Sequence, residues 1–326
     1  MQTMVKGLKV IGKSSIASIL IFLFIILALF SALSPNFMTM NNVLNVLRQV
    51  SMTGIAGCGM ICVLLTGGID LSIGSMVTFI NVSCALMMVN GGIHPVIASV
   101  LGILLGTLFG TINGLLISYF KLMPFITTLC MQYALKGLSF IITNSQPVYG
   151  LPESFKFLGQ GYVAGIPFPV IIMVVLVCIT AVFLRKTYVG RYIYYIGGSE
   201  EATKLSGVNT KAVSVLAYTL SGFFTGLASI VWLSRVNSGQ PSTASGFEFD
   251  VICGLVLGGV GLAGGEGGIL GGMIGIIAIG FLNNGMTMLN LNEYPQMVVK
   301  GFVLLFAILV DVLKHNVSFG KKKEKV

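Results

Sequence analysis

Residues 66–75 read Thr-Gly-Gly-Ile-Asp-Leu-Ser-Ile-Gly-Ser, and the fold follows from that stretch. It sets one acid, three hydroxyls and three glycines between segments apolar enough to lie in lipid. Paired glycines bend a chain and expose backbone N–H and C=O groups that lipid cannot satisfy. Such a break survives at membrane depth only where protein or a water-filled cavity covers it. An acidic side chain at that depth is costly and marks a functional site by default. Asp70 therefore has two readings. It is a residue of a pathway through the membrane, or it caps the helix that follows, since Asp is among the preferred N-cap residues.

Outward from this break the chain is apolar almost throughout. Hydrophobic residues make up 55% of 326 and charged residues 9%, against roughly 25% charged in a soluble domain; the mean hydropathy is +0.96. Residues 16–33 form an uncharged run after Lys6, Lys9 and Lys13, and we read it as an uncleaved first span. Further apolar segments lie at about 43–65, 71–90, 95–118, 124–142, 167–185, 211–233, 247–263, 268–290 and 296–313. The fold class expected is all-α: a single polytopic membrane domain over residues 1–326, with about ten transmembrane helices.

The formal net charge of +9 would suit a nucleic acid if it gathered on a soluble face. It is instead spread by sidedness. With both termini cytoplasmic, Lys121, Arg185, Lys186, Arg191, Lys204, Lys211 and the terminal lysines fall inside, while Arg48, Lys136, Lys156, Arg235 and Lys300 fall outside or within spans. That bias is the positive-inside rule. The basic surplus is thus a topology signal, joined at the KKKEK tail by attraction to anionic membrane lipid, and no nucleic-acid partner is expected.

Patterns that suggest chemistry fail on context. Residues 7–14 match GxxxxGK[ST] and residues 259–264 match GxGxxG. Both motifs work only at a strand-to-helix turn, and neither has one around it. The six cysteines lie in apolar spans with no His or Asp to complete a metal site, and buried free cysteine behaves as a small hydrophobe. No acid, base or nucleophile set converges. No catalytic residue, cofactor or metal is assigned.

Glycine spacing carries structure instead. Gly102, Gly106, Gly110 and Gly114 recur every four residues, which makes a bare slanted ridge for a close helix neighbour. Gly271 with Gly275, and Ser221-Gly222 with Gly226, suggest similar contacts. Leu64-Leu-Thr-Gly-Gly-Ile-Asp-Leu also aligns with Leu255-Val-Leu-Gly-Gly-Val-Gly-Leu, and Asn113-Gly114 with Asn284-Gly285. These two pairings demand different symmetry operations, so no repeat is assigned. In the loop at about 186–210, Ser199-Glu-Glu-Ala-Thr-Lys-Leu-Ser-Gly207 reads as a short helix. Ser199 caps it, Glu200 and Glu201 suit its positive end, Lys204 suits its negative end, and Gly207 stops it. Its small apolar face is Ala202 and Leu205. Two turns are unstable alone, so the helix is expected to dock.

Taken together, TGGIDLSIGS, GRYIYYIGGSEEATKLSGVN (190–209), GGVGLAGGEGGILGG (258–272), GFLNNGMTML (280–289) and YPQMVVKG (294–301) resemble the permease subunits of bacterial monosaccharide (ribose-type) ABC importers. Residues 34–49 extend the likeness, which covers about 35–313. The resemblance implies that two copies of the permease, identical or paralogous, form a pathway. It implies a cytoplasmic ATP-binding subunit and an extracytoplasmic sugar-binding protein as partners, in a bacterial inner membrane. Residues 201–207 are similar to the E-A-A-x-x-x-G loop of importer permeases, with Thr203 for the second Ala. Glu200, Glu201, Ala202, Leu205 and Gly207 are then expected to contact the ATPase. Sugars are neutral and rich in hydroxyls, so the pathway candidates are uncharged polar residues in spans: Asn81, Asn113, Gln132, Asn283 and Asn284, together with Asp70. Arg48, Lys156 and Arg235, the cations left outside, are expected to receive the binding protein. The alternative is a stand-alone sugar facilitator or channel without an ATPase.

Overall fold

The computed structural model describes residues 15–323, with side chains from 17 to 309. The 7–14 motif match, Lys6, Lys9, Lys13 and Lys325 lie outside the described residues. Helices dominate: α1 (Ser15–Leu33), α2 (Met40–Leu65), α3 (Ile73–Val89), α4 (Pro95–Ser118), α5 (Pro124–Ile142), α6 (Phe157–Gln160), α7 (Phe168–Lys186), α8 (Tyr188–Gly198), α9 (Glu200–Leu205), α10 (Thr210–Val236), α11 (Phe247–Leu257), α12 (Ile269–Met288) and α13 (Glu293–Lys323). Proline in the first turn starts α4, α5 and α7, where its missing N–H costs nothing. The strands described are a two-residue hairpin, β1 (Tyr162–Val163) paired antiparallel with β2 (Ile166–Pro167).

Among the described residues, α2, α4, α5, α7, α10 and α12 are long and apolar enough to cross a membrane, six against the expected ten or so. Of the other predicted segments, α3 has 17 residues and α11 has 11, while α1 and α13 run on past the residues whose side chains are described. The clearest departure is at 247–263, read from sequence as a span. There α11 has 11 residues, about 16 Å or half a hydrocarbon core. It stops because Gly259 takes φ +88°, its N–H reaching Val256 O and that of Val260 reaching Leu255 O. Those two bonds close a helix C-terminus through a left-handed residue. Most of 186–210, read from sequence as a loop with one short helix, is in fact α8 followed by α9.

The core centres on α2 and α10. From Ile55 to Leu65 the apolar side chains of α2 are fully buried. Helices α4, α5 and α7 lie outside this pair and turn Leu104, Leu108, Tyr133, Ile141, Val175 and Ile179 outward, as helices against lipid do, where apolar exposure carries no penalty. Cys58, Cys62, Cys84 and Cys253 are buried free thiols, whereas Cys130 and Cys178 lie on outward faces.

The glycine ridge of α4 faces inward, with Gly102, Gly106, Gly110 and Gly114 all buried. A methyl group on Gly106 or Gly110 would strike the backbone at Gly222 of α10, so these helices touch backbone to backbone. A second such seam joins Gly254 and Gly258 of α11 and its stop to Gly275 and Gly271 of α12. Close approach of this kind gains dispersion contact at no side-chain entropy cost. Gly137 on α5 has open space where a Cβ would go. Gly110→Ala should therefore lower stability by about 1–3 kcal/mol through overpacking, while Gly137→Ala raises it by about 0.5–1 kcal/mol through helix propensity. Thermal unfolding of the detergent-solubilised chain measures both; equal shifts would show that the seam is not close-packed.

Candidate functional site

The break at 66–72 is closed by its neighbours rather than by itself. Gly67 at φ +80° ends α2, with its N–H on Leu64 O at 2.9 Å and that of Gly68 on Val63 O at 3.1 Å. Asp70 follows with its carboxyl fully buried. One oxygen accepts from Ser72 N at 3.1 Å and Ser72 Oγ at 2.5 Å, the other from Ser221 Oγ of α10 at 2.9 Å. Asn113 Nδ2 of α4 donates to Ser72 Oγ at 2.9 Å. Leu71 N donates to Thr128 Oγ1 of α5 at 3.2 Å, and Tyr218 OH of α10 to Ile69 O at 3.5 Å. Asp70, Ser72, Asn113, Thr128 and Ser221 have no exposed surface. Three helices thus supply the hydrogen bonds that the bent backbone and its acid require, and Asp70 tethers both the entrance of α3 and the flank of α10.

A second glycine turn, 258–268, lies against the first. Gly265 N donates to Leu65 O at 2.9 Å, and Gly264 meets the backbones of Gly67 and Gly197. The two turns share one helix-stop geometry, with Gly67 matching Gly259. The sequence alignment had paired Gly67 with Gly258, one residue away. Gly197, near the end of α8, has no room for a methyl between Leu65 O and Gly265 N. Tyr194 OH on the same helix donates to Gly267 O at 3.1 Å. Helix α8 is therefore packed directly on both breaks.

From α8 the chain passes to α9, whose ends are as the sequence predicts. Ser199 Oγ accepts from Ala202 N at 3.2 Å. Gly207 at φ +84° donates to Lys204 O, and Val208 N to Thr203 O, a two-bond C-terminal stop. Thr203 is the buried residue of α9, while Ala202 is exposed and Leu205 is 84% exposed. Glu200 accepts from Thr210 Oγ1 at 3.2 Å, which ties α9 to the start of α10. Beside it opens a cleft of about 840 Å³, lined by Gly67, Gly68, Lys121, Glu201, Lys204, Lys211 and Tyr218 among others.

The three cations proposed for docking gather at the opposite end. The Arg48 guanidinium lies over the Tyr162 ring at 4.7 Å, with Nε and Nη2 buried and unpartnered. Lys156 pairs with Glu153. The Gln160 amide donates to Arg235 O at 3.0 Å, and the bridge between Val148 and Gly239 closes the same surface.

The polar span residues separate into distinct places. Asn113 joins the Asp70 network. Asn284 exchanges amide hydrogen bonds with Asn42, at 2.8 and 3.0 Å. Asn283 donates to Asp250 at 3.3 Å, which also pairs with Lys300 at 2.8 Å; a cavity of about 70 Å³ sits there, lined in part by Gln49, Arg235, Asp250 and Asn283. Asn81 is fully buried with neither amide atom partnered. Gln132 donates to Glu248 at 2.8 Å. Sequence reading missed Glu248 and Asp250, although the acid-at-depth rule that singled out Asp70 applies equally to Phe-Glu-Phe-Asp at 247–250.

A bundle whose helices stop at glycine turns, with a buried acid at the first of them and a short capped helix at one end, is the build of a transport permease. The family model for the permease component of the branched-chain amino acid transport system matches residues 42–308, and the chain belongs to that permease family. The ribose import permease protein RbsC of Bacillus subtilis strain 168 is 45% identical over 291 residues, 89% of this chain and 90% of that one. RbsC of Escherichia coli strain K12 is 40% identical over 91% of this chain and 93% of its own length. The L-arabinose transport system permease protein AraH of Escherichia coli strain K12 is 38% identical over 90% and 88%. No solved structure matches the chain.

Thr128 gives a direct check on how the break is held. Thr128→Val removes the acceptor for Leu71 N and should cost about 1–3 kcal/mol, the penalty of an unsatisfied buried donor. Thr128→Ser retains the hydroxyl and should cost less than half as much. Equal losses in thermal unfolding would show that packing, not the hydrogen bond, matters there.

Proposed function

We propose that this chain is the membrane-spanning subunit of an ATP-driven importer for a monosaccharide such as ribose, in the inner membrane of a bacterium. The observation that carries this reading is the 45% identity to a ribose import permease over about nine-tenths of both chains, with a second pentose permease at 38%. Those likenesses favour a sugar over the amino acids in the family's description. In this reading the chain crosses the membrane about ten times with both termini in the cytoplasm, and it hydrolyses no ATP itself. Its partners are a second permease copy, a cytoplasmic ATP-binding subunit and an extracytoplasmic sugar-binding protein.

The mechanism is alternating access driven from α9. Its exposed Leu205 and Ala202 offer an apolar contact to the ATP-binding subunit, with Glu200 and Glu201 beside them and Gly207 fixing the exit. Movement of α9 passes into α8, then through the backbone contacts at Gly197, Gly264 and Gly67 to the break held by Asp70. At the far end Arg48, Lys156 and Arg235 receive the loaded binding protein, where charge chiefly sets on-rate and salt dependence. Asp70, Asn81, Asn113, Asn283 and Asn284 are proposed to border the route or to move as it opens.

Leu205→Asp tests the coupling. An unpaired charge placed in a desolvated contact costs several kcal/mol. The variant should insert normally, lose the ATP-binding subunit during purification, and retain under a tenth of ATP-dependent sugar uptake. A stand-alone facilitator would keep its flux, and full ATP-dependent uptake in this variant contradicts the assigned role.

A further inference from the structure

Glu248 is 3% exposed, and its carboxyl is only half used. Oε1 accepts from Gln132 Nε2 at 2.8 Å, while Oε2 is buried with no partner. Gln132 lies near the middle of α5, about 12 Å from its start and about 15 Å from its end at 1.5 Å per residue. The pair therefore sits near the centre of a spanning helix, where an acid is most costly and needs a functional or pairing reason.

The surroundings are built to admit a carboxyl and something beyond it. Gly74 of α3 is bare where a Cβ would collide with Glu248 Oε2. The preceding segment, 238–246, is irregular backbone carried inward and pinned by a hydrogen bond from Thr78 Oγ1 to Thr243 O. A cavity of about 40 Å³ is lined by Glu248 together with Ser75, Thr78, Gln132, Lys136 and the 241–246 segment. That volume holds one water or one hydroxyl group, not a sugar ring. Ser242, Ser245 and Lys136 continue the polar surface outward and are exposed. Polar side chains and irregular backbone at such depth are not tolerated against lipid, so this face borders protein or water.

We propose that Glu248 and Gln132 form a hydroxyl-binding station for the sugar in transit. A sugar hydroxyl enters the small cavity and donates to Glu248 Oε2 while the ring passes along the face of Ser242, Ser245 and Lys136. A carboxyl beside an amide suits a neutral polyol, because the carboxyl oxygen accepts from hydroxyl donors and the amide fixes its orientation. A single such contact is strong enough to guide and weak enough to release. This assignment rests on the reading of the chain as a monosaccharide permease.

The test uses the whole transporter: this chain, its ATP-binding subunit and its binding protein in vesicles, with radiolabelled D-ribose and L-arabinose as probes. Glu248→Leu combined with Gln132→Leu removes both partners of the buried bond, which leaves neither group unsatisfied, a change that can be nearly neutral for stability. The station predicts at least a tenfold loss of sugar moved per ATP hydrolysed, with hydrolysis stimulated by the binding protein within twofold of wild type. Recovery of uptake to within twofold of wild type by the double variant would assign the pair a purely structural role and overturn the proposal. Glu248→Gln, which keeps the shape, should lower sugar moved per ATP at least threefold with hydrolysis unchanged; unchanged uptake would also overturn it. Wild-type transporter that moves neither sugar overturns the reading as a pentose importer on which the station rests, which separates that failure from this one.

Discussion

Lipid offers no hydrogen bonds, and the rest of this structure depends on how the chain meets that constraint where α2 breaks into α3. A helix satisfies its own backbone, but residues 66–72 cannot. Their free groups, and the acid they carry, are bound by Ser221 and Tyr218 of α10, Thr128 of α5 and, through Ser72, Asn113 of α4. Each buried group left unpaired would cost about 1–3 kcal/mol, a large fraction of the total stability of a folded domain. The break is thus the point that forces α4, α5 and α10 into register around α2. The bare ridge on α4 fits the same arrangement: Asn113 reaches Ser72 beside Gly114, on a helix that meets α10 backbone to backbone at Gly106 and Gly110.

The second consequence concerns stiffness. The α8 helix meets the breaks through Gly197, Gly264, Gly265 and Gly67, so the contact is backbone on backbone with no rotatable side chain between. Well-packed contacts of that kind shift between discrete arrangements rather than deforming gradually. In the proposed mechanism a push on α9 is delivered to the Asp70 network instead of being absorbed by side-chain rotation. Helix α9 itself is fixed by its own caps and by the Glu200–Thr210 hydrogen bond, which leaves Leu205 free to make contact outside the chain.

Local features of this architecture were legible in the sequence, and distant pairings were not. Ser199 and Gly207 announce the start and stop of α9 because capping is a short-range matter of residue type. The four-residue spacing of glycine in α4 announces a close neighbour, and Gly222 in the Ser221-Gly222 pair noted from sequence is where the two backbones meet. Nothing local tells that Asp70 will bond Ser221, 151 residues away, or that α11 will stop at Leu257 rather than continue through an apolar run. The stop depends on Gly259 taking a left-handed conformation, which a hydropathy pattern does not record. Glu248 was passed over for a related reason: a long apolar window averages away a single acid, although its cost at depth is not an average.

The hydrogen bond from Ser221 to Asp70 couples α10 to the break and holds it closed. A double-mutant cycle with Asp70→Asn, Ser221→Ala and the pair, read by unfolding of the purified chain in detergent or lipid nanodiscs, measures that coupling directly. The interaction energy expected is about 0.5–3 kcal/mol, the range for residues that share one hydrogen-bond network. Losses that add within about 0.3 kcal/mol would contradict it.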